Sequence, residues 1–142
     1  MMIIVQRTIW VLMLASLLLA TCGASPPPED PDALIPATIS GIGDVNVGKL
    51  LYSSEGCVMC HATTTQLMVG PGLAGVMTAG GPTYPEGVEY WYALPNGSPR
   101  TEENIAAWIV RGGRGQIGMM PGRRLDEQDV ADLLAYLRTI EK

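Results

Sequence analysis

The chain has no Phe, a single His and only three Cys. A structural zinc centre takes four ligands, usually from two pairs. Here one pair, Cys57 and Cys60, stands beside His61, and the third cysteine, Cys22, lies far upstream. Basic residues are also scarce, with 9 Lys and Arg against 14 Asp and Glu. Phosphate binding needs clustered cations, so nucleic acid is not an expected partner. Apolar runs long enough to span a membrane, about 20 residues, are missing as well. With 17 Gly and 11 Pro in 142 residues, a long helical bundle or coiled coil is excluded and much of the chain should be loop. The length suits one domain with a tail.

The N-terminus reads as an export signal. Arg7 gives the positive flank and Thr8 to Ala20 is a 13-residue run without charge, the length of a signal-peptide apolar region. The run ends in Leu19-Ala20-Thr21-Cys22-Gly23, which resembles a bacterial lipobox. That resemblance implies cleavage after residue 21, acyl chains on Cys22 and a domain held at the extracytoplasmic face of a membrane. An anchor left uncleaved over Ile3 to Ala20, if Gln6 and Arg7 sit at the interface, or cleavage after Ala24, exports the chain equally well. Residues 22–44 carry five prolines and no helical or strand period, as in a semi-rigid tether. The globular domain is expected over 45–142.

Cys57-Val58-Met59-Cys60-His61 carries the chemistry. A thioredoxin-like motif needs a βαβ context, which residues 45–70 do not offer. A disulfide over two intervening residues closes too small a loop to stabilise much. Covalent haem attachment remains: two thiols add to the haem vinyl groups and the adjacent His is presented to the iron. With no second His, the sixth ligand must be Met, Lys or a small molecule. Met119 and Met120, in Gly118-Met119-Met120-Pro121-Gly122, are the candidates, because a soft neutral sulfur suits the metal.

From Val45 to Lys142 the chain resembles the class I cytochrome c family, of the small bacterial monohaem kind. The resemblance rests on Val47-Gly48-Lys49-Leu50-Leu51-Tyr52, Cys57 to His61, Gly70-Pro71-Gly72-Leu73-Ala74-Gly75, Met120-Pro121 and Leu133-Leu134-Ala135-Tyr136-Leu137. It implies an all-α cytochrome c fold of three main helices and long Gly/Pro-rich loops around one haem c. It implies cofactor contacts from Cys57, Cys60, His61, Pro71, Leu73 and Met120, with His61 and Met120 on the iron and the Pro71 carbonyl on the imidazole. One aromatic residue among Tyr84, Tyr90, Trp91 and Tyr92 is expected on a haem propionate. The implied function is electron transfer without a substrate of its own, between partners such as a quinol-oxidising complex, a terminal oxidase or a reaction centre. The rival is a ligand-binding or peroxidase-like haem protein with an open sixth position, and no distal His or Arg in a catalytic setting is apparent for it.

Caps and period place the helices. The first runs from Asn46 or Val47 to Ser54, with Gly48 and Tyr52 expected against Leu133 and Tyr136. Thr101 caps the second, ended by Gly112-Gly113, and Asp126 caps the third, from Glu127 to about Glu141. Trp108 is expected in the core. Loss of residues 1–21 removes only Arg7, leaving 8 basic and 14 acidic side chains, a net −6. Yet Asn104 to Leu125 holds Arg111, Arg114, Arg123 and Arg124 and no acid. A positive rim near Met120 is therefore expected.

Overall fold

The computed structural model describes residues 41–141. Cys22 and the tether up to Ser40 lie outside them. The described elements are three helices, α1 (Val45–Ser54), α2 (Glu102–Arg111) and α3 (Glu127–Arg138), a 3-10 turn (Cys57–Met59), and two short strands, β1 (Gly112–Arg114) and β2 (Met119–Pro121). The strands correct the all-α expectation: they pair antiparallel, with Gly113 opposite Met120 and Arg114 opposite Met119. None of the described helices is long and apolar enough to cross a membrane.

Each helix begins where a side-chain oxygen can accept an orphan amide. Thr101 accepts from Asn104 N–H, and Asp126 and Asp129 form a reciprocal capping box. For α1 the cap is Asp44, whose carboxylate accepts from Asn46 and Val47, so the helix starts before the expected Asn46. The Asp44 amide donates to Asp132 Oδ1 at 2.7 Å. Asp132 is the one buried charged residue among those described, and it also accepts from Gln128 Nε2 at 2.8 Å.

Close packing of α1 on α3 organises the domain. It depends on Gly48, where a Cβ would stand 2.0 Å from the Asp132 carbonyl oxygen and 2.9 Å from Tyr136 Cβ. One turn on, the rings of Tyr52 and Tyr136 lie 5.5 Å apart. Val130, Leu133 and Leu134 on α3 are the largest fully buried side chains, and Tyr52, Leu73, Ile105, Ile109 and Leu125 join them in one core.

Gly112, at φ +65°, stops α2 with its amide on the Trp108 carbonyl and turns the chain into β1. The chain then returns past β2, and Arg123 N–H donates to the Ile109 and Val110 carbonyls at 3.1 Å. The hairpin thereby satisfies the open C-terminal end of α2. α3 ends at Arg138 rather than Glu141. Arg138 makes a two-pronged bridge to Glu102, Nε to Oε1 at 2.8 Å, and holds that carboxyl below its usual range. The pair is exposed and contributes little.

Residues 76–99 form the long loop that the glycines and prolines predict. At Tyr90–Ala93 it makes a tight turn, closed by Ala93 N–H on the Tyr90 carbonyl at 2.8 Å. Both central residues, Trp91 at φ +46° and Tyr92 at φ +65°, are left-handed, and they are the only non-glycine residues with positive φ among those described. A left-handed conformation costs a non-glycine residue roughly 1–2 kcal/mol.

Candidate functional site

Gly56, left-handed at φ +74°, takes the chain from α1 into the 3-10 turn. That tight turn faces Val58 and Met59 outward and keeps Cys57, Cys60 and His61 half-buried. The two thiols are free. They line, with His61, a cavity of about 230 Å³ closed by side chains of α2, α3, the hairpin and the long loop.

His61 is fixed from two sides. Tyr52 Oη donates to the His61 carbonyl at 2.5 Å. Burial, with Cys57 and Tyr136 adding to it, pushes the Tyr52 phenol up to about 12, so it stays a donor at neutral pH. On the ring, Nδ1 lies 2.9 Å from the Pro71 carbonyl. A carbonyl can only accept, so Nδ1 carries the proton and Nε2 keeps the lone pair. Gly70 lets the ring approach the backbone closely: a Cβ there would be 2.4 Å from His61 Cε1. Leu73, buried and lining the same cavity, is held by its amide on the Ala62 carbonyl at 2.8 Å.

Both methionines of β2 line the cavity, but successive strand residues face opposite ways. Met119 is 61% exposed, whereas Met120 packs against the core. Arg123 is not part of a free rim. It is half-buried, and its positive charge beside Cys57 opposes the burial that pushes this thiol up.

Of the four loop aromatics, Tyr84 and Tyr90 line the cavity, while Trp91 and Tyr92 are exposed. Tyr90 Oη accepts from Gln116 N–H at 2.7 Å. Trp108 lines the cavity too, partly buried rather than in the core. The residue that sequence reasoning missed is Arg100. It binds the Val76 carbonyl and reaches Tyr84 Oη at 3.4 Å. Its Nε is buried without a partner, the one such side-chain atom among the described residues. No local pattern marks Arg100, since its partners stand 24 and 16 residues upstream.

Two free thiols, an imidazole nitrogen with a free lone pair, a thioether and an unsatisfied guanidinium N–H thus meet at one apolar cavity. The family model for cytochrome c matches residues 45–141. The chain belongs to the cytochrome c family. No curated protein matches it. Membership implies a covalently bound haem c with its iron and electron transfer through it. The donor set fits that group, and the unpartnered Arg100 Nε fits a propionate carboxylate in a largely apolar wall. Among the described residues no group of three or more His, Cys, Asp or Glu could hold a metal ion.

Proposed function

We propose that the chain is a monohaem class I cytochrome c, attached to the extracytoplasmic face of a bacterial membrane through Cys22. On this reading it passes single electrons between respiratory or photosynthetic complexes, or serves as a subunit of one. The bound group supplies a ferric–ferrous couple. Cys57 and Cys60 would hold it by thioether bonds, and His61 Nε2 and Met120 Sδ would ligate its iron. Pro71 orients the imidazole, and Leu73 would pack against the macrocycle. The observation that carries the reading is the His61–Pro71 hydrogen bond, which fixes the tautomer and raises ligand basicity. A thioether sulfur as the other iron ligand would favour the ferrous state and keep small ligands out.

The exposed arginines bear on the partner. Arg114 and Arg124 stand exposed on either side of β2, within a stretch that has no acid. They steer a partner with an acidic docking face. When the reduced full-length protein is mixed with energy-coupling membranes of the source cells, its haem band should report oxidation that slows as salt rises. Arg114→Glu with Arg124→Glu should slow it at low salt and leave the midpoint potential nearly unchanged. Failure of the membranes either to reduce or to oxidise the protein would contradict the carrier reading.

A further inference from the structure

A turn with positive φ at both central positions takes Asn-Gly or Asp-Gly with least strain. At Tyr90–Ala93 this protein places Trp91 and Tyr92 there instead, 79% and 72% exposed. Nothing in the fold needs these two rings. The turn's base, by contrast, is firmly built. Tyr90 stacks edge-on against Tyr84 with centroids 4.9 Å apart, and its Oη is tied to Gln116 in the hairpin loop. Gln116 Nε2 donates to the Glu89 carbonyl at 2.9 Å. Tyr90 and, just past the turn, Leu94 are cavity walls. A rigid pedestal on the rim of the haem cavity therefore holds two large aromatic rings in water, in a backbone conformation that opposes them. Strain of this kind persists where the surrounding structure enforces it, and it collects at functional positions.

We propose that Trp91 and Tyr92 are a preformed docking anchor, inserted into an apolar recess on the protein that exchanges electrons with the haem. The proposal rests on the carrier reading above. Trp and Tyr dominate binding where they fill desolvated pockets, and rings already fixed in place lose little freedom on binding. Charge and position identify the occupant as a protein. Met119 lines the same cavity and is exposed, and Arg114, its cross-strand neighbour, is also exposed. The partner's recess accordingly offers an acidic group to Arg114 and a basic one to the exposed Glu86 and Glu89 of the turn's own loop. A bilayer is a poor occupant, since Glu86 and Glu89 are exposed on the same loop and repel anionic headgroups. Lipid laid there would also cover the approach to the cavity.

The test is Trp91→Asn combined with Tyr92→Gly in the full-length haem-loaded protein. This pair suits the turn, so the fold is kept and the melting midpoint is unchanged or higher. The second-order rate with the source membranes should fall about tenfold or more, with the midpoint potential and the rate with ferricyanide unchanged. A reactive wild type matched by an equally reactive double variant overturns the anchor and leaves the carrier reading intact. Equal slowing with ferricyanide also overturns it, because the turn then acts on the cavity. So does weaker cosedimentation with phosphatidylethanolamine–phosphatidylglycerol vesicles at an unchanged membrane rate, which makes lipid the occupant. A wild type inert towards the membranes contradicts the carrier reading itself.

Discussion

The Met120→Ala protein should retain its haem yet lose the weak sulfur-to-iron charge-transfer absorption of the ferric state. Its midpoint potential should fall, since the thioether that favours ferrous iron is gone. Cyanide and carbon monoxide should bind at least roughly tenfold faster, through the position that the sulfur had closed. Met119→Ala should change none of these. The reason lies in the strand: neighbouring residues of β2 face opposite ways, with Met119 turned largely to solvent and Met120 against the core. The opposite pattern would move the ligand by one residue. Unchanged spectra in both variants would favour an open-site, ligand-binding haem protein.

Gly48→Val should strongly destabilise the domain's scaffold. The new Cβ would meet the Asp132 carbonyl oxygen at 2.0 Å, which is backbone and cannot swing aside. α1 must then lift from α3, pulling Tyr52 from Tyr136 and from the His61 carbonyl. The expected cost is about 3 kcal/mol, at the upper end for overpacking, and a melting midpoint lower by more than about 10 °C. Gly118→Ala is the control, because nothing lies within 4 Å of the position its Cβ would take. An unaltered midpoint in the Gly48 variant would show that the two helices do not meet there.

What could be read in the sequence was what neighbours in the chain decide. Thr101 and Asp126 cap their helices from within three residues, so short-range chemistry located α2 and α3. Cys57, Cys60 and His61 share one turn, and their spacing alone announced a haem. The start of α1 was less legible, because Asp44 is both its cap and a donor to Asp132, 88 residues away. β1 and β2 escaped notice because three-residue strands are too short to show an alternating period. Their glycines and proline read as loop. Arg100 was invisible for a different reason: a lone arginine after a proline means nothing until the fold sets it against the Val76 carbonyl and Tyr84. The Trp91-Tyr92 turn runs against local preference outright, as a site shaped for something other than stability should.

One haem should be held through both Cys57 and Cys60. Intact and peptide mass spectrometry after acid–acetone extraction tests it most directly. The protein should keep the mass of a single haem, carried on the peptide that contains Cys57 to His61. Haem that leaves with the solvent, or a haem-free peptide with both thiols unmodified, would contradict it.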